Sequence, residues 1–214
     1  MNNKILRSYF ILIIAPLFFS CRGAVKDENQ KNASVSAVTA GQKYIIDTKE
    51  SVVTWEGSML FGFDEQHIGY VYMSNGGLFI EKDQLVGGAV EIDMRTIEYK
   101  DKETKNSPVH HLKSPDFFDV EKFPISTFVI TGVESVVNQN LKVTGKLTIK
   151  GVTNTITFPA KMEVKDGIVT ANGKVMIDRT KWGIRYRSGK FYENLADQTV
   201  SDDIDLLMKI VAKK

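Results

Sequence analysis

The chain has 214 residues, 43% hydrophobic and 25% charged, which is enough for one sizeable core and calls for no second folded domain. Its formal net charge of +2 includes Lys4 and Arg7; without them the remaining 26 basic residues balance 26 acidic ones. A protein that neutralised a phosphate backbone would carry a basic surplus, so no nucleic acid is expected as a partner. One cysteine, Cys21, excludes an internal disulfide and any zinc site built from several thiolates.

Lys4 and Arg7 precede the apolar run Tyr9 to Phe19, which is too short to span a bilayer but matches the hydrophobic region of an export signal. Cys21 falls where that run stops, preceded by Ser20. This resembles the lipobox of bacterial lipoproteins, with Phe18 where leucine is usual, and implies lipid attachment at Cys21 after removal of residues 1–20. A plain secretory signal with an incidental cysteine is the alternative. Residues 21–41 are small and polar with no aromatic residue, and read as a flexible tether. The folded domain is expected over 42–214. The location expected from this is the cell envelope, as a periplasm-facing or outer-membrane lipoprotein.

Beyond the tether, alternation with a period of two dominates. Strands are expected at Lys43–Asp47, Val52–Gly57, Ile68–Met73, Gly77–Glu81, Ala89–Met94 and Asp203–Val211. The clearest is at Leu141 to Lys150, where Leu141, Val143, Gly145, Leu147 and Ile149 share one face and lysines and threonines the other. Thr155 to Lys165 repeats the pattern, and tight turns at Gly151 and Asp166-Gly167 join it to its neighbours. With Ile125 to Val136 and Ile168 to Asp178 these form a four-stranded meander. The whole reads as all-β, an elongated antiparallel barrel of about eight strands, because closure removes exposed edges. Strands of about eleven residues, roughly twice the usual length, make its interior a tube. Gly145 and Ala160 are expected to leave room inside it, although a solidly packed interior fits the same pattern.

The interruption is His111 to Phe128, HLKSPDFFDVEKFPISTF. Pro115 and Pro124 exclude a central strand. Ser114-Pro115-Asp116 is expected to start a short helical turn near the barrel mouth, pressing Phe117 and Phe118 inward.

That segment, with VTGKLTIKGVTNTITFPA from Val143, IDRTKWGIRY from Ile177 and VSDDIDL from Val200, resembles the YceI-like family of lipid/polyisoprenoid-binding proteins. The likeness runs from about Tyr44 to Val211 and includes Trp55, the segment from His67 and IDMRTIEYKD from Ile92. It implies a lipocalin-like barrel that encloses a long amphipathic lipid, and export to the periplasm. The polar run Tyr99 to Ser107 departs from the family pattern as a loop insertion.

Trp55, Phe117, Phe118, Phe128, Phe158 and Trp182 are the expected cavity wall, ordinary core being the alternative. The basic cluster Arg179, Lys181, Arg185, Arg187 and Lys190 offers head-group contacts, with Arg179 and Arg185 the candidates. Arg179 paired to Asp178 or another acid is the alternative. His67 is expected at the rim. His110 and His111, adjacent on one loop near Asp101 and Glu103, are a poor metal site. No nucleophile elbow or carboxylate pair stands at a catalytic spacing, so no enzyme, metal or cofactor is expected.

The expected function is to bind and shield an isoprenoid quinone, polyprenyl or fatty chain for transport or storage. A packed structural or adhesive surface lipoprotein is the first rival, and a quinone-holding accessory to a membrane redox partner the second. The last strand, Asp203 to Val211, is expected to expose an edge through which a homodimer could form.

Overall fold

Alternating patterns of this length fold as long strands because each buries one face and solvates the other. The computed structural model describes residues 41–59, 66–102, 107–136, 139–195 and 198–214. The export signal, Cys21, the tether up to residue 40 and Glu103 lie outside the described residues. Among the described residues nine strands occur: β1 (Gln42–Ile46), β2 (Val52–Ser58), β3 (Gln66–Glu81), β4 (Gln84–Tyr99), β5 (Ile125–Ser135), β6 (Asn140–Ile149), β7 (Val152–Lys165), β8 (Ile168–Asp178) and β9 (Asp203–Lys213). A short helix, α1 (Val109–Lys113), lies between β4 and β5, and a 3-10 turn (Arg179–Trp182) follows β8.

The order around the sheet is β3-β2-β9-β8-β7-β6-β5-β4, and β4 pairs back onto β3. This closes an eight-position antiparallel barrel. The eighth position is shared, since β1 pairs with Gly77–Ile80 of β3 while β2 pairs with Gln66–Tyr72 of the same strand. At the break between β1 and β2 the buried Ser51 replaces a missing backbone partner: its Oγ donates to the Val211 carbonyl at 3.1 Å and accepts from the Val211 amide at 2.9 Å. Ser51→Ala strands both groups away from water. It should lower stability by about 1–3 kcal/mol, read as a fall of several degrees in the thermal midpoint.

The expected meander is present as β5 to β8, in register through turns where Lys150-Gly151 and Asp166-Gly167 both take positive φ. Two positive-φ residues in succession make the mirror-image turn whose twist suits a hairpin. Two expectations are corrected. Ile68–Met73 and Gly77–Glu81 belong to one 16-residue strand, β3. Ser74-Asn75-Gly76 reads as a turn in sequence, yet here it is absorbed as an irregularity in the β3–β4 pairing between Met73 and Asn75. Strand β9 has no free edge, because β8 pairs with one side and β2 and β1 with the other. The edge-mediated homodimer therefore loses its premise. Ser114 does not start α1, which it closes as C-cap in extended conformation, since the residue before a proline avoids the helical region, but it does open the expected turn: its carbonyl accepts from the Phe117 and Asp119 amides at 3.1 and 2.8 Å.

Candidate functional site

All the tight β-turns that close one end of the barrel, at Lys82-Asp83 and Asp166-Gly167, lie at the end opposite α1. In that half Leu78, Ile80, Leu85, Val90, Leu141, Val143, Met162 and Val169 fill the interior. The other half holds a cavity of about 530 Å³. Its lower wall comes from alternate residues of the strands, among them Val53, Val71, Ile92, Leu147, Val175 and Leu206. Its upper wall comes from Pro108, Leu112, Phe117 and Phe118 on one side of the mouth and Tyr186, Arg187 and Val200 on the other. The expected tube is thus open over half its length and packed over the rest.

The large rings that line the open half each lie against a glycine. A Cβ on Gly69 would collide with the Trp55 indole, and one on Gly145 with the Phe128 ring. On Gly173 it would sit 3.0 Å from Phe158. Each ring is therefore pressed onto the bare backbone of a glycine in an adjacent strand. The expectation that Gly145 leaves room is corrected, for Phe128 takes that room. Phe128 and Phe158 meet each other with centroids 5.6 Å apart and, with Met208, form the cavity floor.

The mouth is built on Phe117. Its ring is 5.5 Å from Tyr186, 6.0 Å from Phe118 and 5.3 Å from the Arg179 guanidinium carbon. Tyr186 in turn stacks on His111 of α1 at 5.9 Å. Lys150, at the β6–β7 turn, donates to the Pro115 carbonyl at 2.7 Å and ties this segment to the barrel rim.

Of the expected site residues, Trp55, His67, Phe117, Phe118, Phe128, Phe158 and Arg179 line the cavity, and Trp182 and Arg185 do not. Trp182 is buried in the core behind the wall, its Nε1 donating to the Leu147 carbonyl at 3.1 Å. Arg185 is exposed and stands over the Phe191 ring, 4.5 Å from its centroid. Arg187 is the member of the basic cluster beyond Arg179 that reaches the cavity. Arg179, 1% exposed, is engaged by protein: it donates to the carbonyls of Ser201, Ile184 and Val200 at 2.9–3.0 Å and pairs with Asp202 at 3.3 Å. Its acid is Asp202, not Asp178. Burial pushes its pKa down, opposed by Asp202 and Asp178.

Asp178 instead caps the 3-10 turn by accepting from the Thr180 amide at 2.9 Å, and receives Lys190 at 2.9 Å. Burial disfavours its charged form, but the bonds from Thr180 and Lys190 more than offset this and hold the carboxyl at about 2. The folded value lies below the unfolded one, so its contribution is present above about pH 4 and is lost as pH falls toward 2. Asp178→Asn keeps a cap acceptor and should remove about 1–2 kcal/mol of this pH-dependent stability. Urea unfolding between those pH values should show a flatter acid limb in the variant.

Sequence reasoning missed His111, Tyr186 and Ser126 in the wall. Two buried polar atoms of the wall, Trp55 Nε1 and Ser126 Oγ, have no hydrogen-bond partner among the described residues. His67 Nδ1 lies 3.0 Å from the Tyr99 hydroxyl. Among the described residues no three His, Cys, Asp or Glu side chains come close enough to hold a metal ion.

Comparison with known proteins agrees with this architecture. Residues 44–212 match the YceI-like domain family. A UPF0312 protein of Shewanella denitrificans is 30% identical over 131 residues, 58% of this chain and 64% of that protein. One of Pseudomonas savastanoi pv. phaseolicola is 28% identical over 159 residues, 71% and 73% of the two chains. The chain spans a little under two thirds of the length of the Shewanella relative. Among solved structures, Burkholderia cenocepacia BcnA superposes with a TM-score of 0.64 at 22% identity, over 78% of this chain and 99% of that one. A polyisoprenoid-binding domain from Saccharophagus degradans does so at 0.57 and 10% identity, over 79% and 97%. Both likenesses concern the fold.

Proposed function

The chain belongs to the YceI-like domain family, and on that premise we propose that it binds and shields an amphipathic lipid, an isoprenoid quinone, polyprenyl or fatty chain, inside its barrel for transport or storage in the cell envelope. The observation that carries this reading is the apolar cavity of about 530 Å³ between the Phe128–Phe158 floor and the mouth. Each methylene moved there from water contributes about 0.8 kcal/mol, so a dozen supply about 10 kcal/mol. That is comparable to an association cost of roughly 4–15 kcal/mol, so the tail supplies most of what binding requires without any polar contact along it. The polar end is a different matter. Trp55 Nε1 and Ser126 Oγ, unpaired in the wall, would be satisfied by an oxygen on the occupant, and leaving such groups unpaired is costly.

The lipid enters tail first, since the floor is apolar and the polar groups His67, Ser201 and Arg187 belong to the upper wall. The segment around Phe117 and Phe118 gates entry. The protein acts by enclosure and turns nothing over. Cys21 carries a lipid anchor and the residues after it a tether, which keeps the barrel within reach of a membrane. Transfer of a fluorescent fatty acid between donor and acceptor vesicles tests the carrier role. The protein should accelerate transfer, and Cys21→Ser should move it from the membrane to the soluble fraction with binding intact. Vesicle transfer at the protein-free rate would oppose the reading.

A further inference from the structure

The floor is an unusual place to find aromatic rings, because a longer open tube would need only small residues there. Instead Phe128 lies over Gly145 and Phe158 over Gly173, and Met208 also comes within 3.2 Å of where a Gly173 Cβ would be. Phe128 packs on Phe158, which lies beside Met208 over Gly173, and beyond them Leu141, Val143, Met162 and Val169 are buried core residues outside the lining of the cavity. The strands themselves continue: β6 runs on to Asn140 and β7 to Lys165. The end of the cavity is therefore set by side chains and not by the length of the barrel.

We infer that Phe128 and Phe158 are specificity-determining residues that limit the enclosed chain to about 18 carbon atoms, counting a methylene as about the size of a liquid water molecule, about 30 Å³, in a cavity of about 530 Å³. This inference rests on the lipid-binding reading and narrows its substrate class to single chains of fatty-acid length or of three to four prenyl units. A longer chain keeps its remainder outside the mouth and gains nothing from it.

The limit is measured with saturated fatty acids of about 10 to 24 carbons, bound to the full chain in competition with a fluorescent fatty acid. Affinity should rise about fourfold per added methylene up to about 18 carbons and then stay level. In Phe128→Ala and Phe158→Ala the break should move to longer chains, by at most the ring's worth of about six carbons, less whatever the wall collapses into the space. The milder Phe128→Leu and Phe158→Leu should move it in the same direction by less, and serve if the alanine variants do not fold. Affinity that climbs steadily through the longest acids in the wild-type protein would overturn the limit while leaving lipid binding intact. A break that none of the floor variants moves would overturn the assignment to Phe128 and Phe158. Failure of every acid to compete would overturn the lipid-binding reading and the limit with it.

Discussion

Arg179→Met should destabilise the protein by about 3–5 kcal/mol, because it removes the donor shared by three carbonyls, each costing about 1–3 kcal/mol when left unsatisfied. The methionine fills much of the volume, so the loss is chiefly electrostatic. It leaves the carbonyls of Ser201, Ile184 and Val200 without their donor and Asp202 with the exposed Lys190, at 3.2 Å, as its remaining counter-charge. These groups belong to the long connection between β8 and β9, which also carries Tyr186 and Arg187 to the mouth. Unfolding that connection therefore removes one side of the upper wall. Arg179→Lys should recover only part of the loss, because one ammonium cannot reproduce a planar fork that reaches three carbonyls. Urea unfolding reads both, and a loss below about 1 kcal/mol for the methionine variant would mean that the site is solvated.

Gly69→Ala is the second large effect. The added methyl would meet the Glu98 carbonyl oxygen and the Trp55 indole at once, well inside contact distance. The carbonyl is backbone of a strand paired to β3 and can move little, so the indole must swing into the lumen. Overpacking of this kind costs about 1–3 kcal/mol; the rigid carbonyl puts this case at the upper end. Trp55→Leu alone removes wall area, yet in combination with Gly69→Ala it should restore part of the stability, because the two residues are in direct contact and their effects do not add. The cycle is read by thermal unfolding together with the amount of fatty acid bound at saturation. Strict additivity would contradict the placement of the indole on Gly69.

Much of the barrel is legible in the sequence. The faces of β6 and β7 follow from alternation alone, and the buried set Leu141, Val143, Leu147 and Ile149 is the one the pattern singles out. Proline logic located the interruption before β5 and the turn after Ser114 but not the short helix α1 before it, because Ser114 suits either end of a helix until its conformation is known. The cavity wall was legible only in its residue types. Which aromatic ring lies on which glycine depends on cross-strand register, and neither the Trp55–Gly69 pair nor the approach of Phe128 to Gly145 has a local signature. Trp182 and Phe117 look alike in sequence; the 3-10 turn carries the first behind the wall and the DFF segment carries the second onto it. Ser51 gave no signal at all, being one serine in a polar turn whose partner is 160 residues away.

Enclosure, gating and the chain-length limit all require the cavity to be a lipid site. Native mass spectrometry of the soluble Cys21→Ser protein, purified from a bacterial host without detergent and followed by organic extraction, tests this. The expected result is one co-purifying amphipathic lipid class at one molecule per chain, lost when Gly69→Ala drives the indole into the lumen. A mass equal to the polypeptide alone, with no uptake of added fatty acid or prenyl alcohol, would contradict it and leave a barrel whose role is structural.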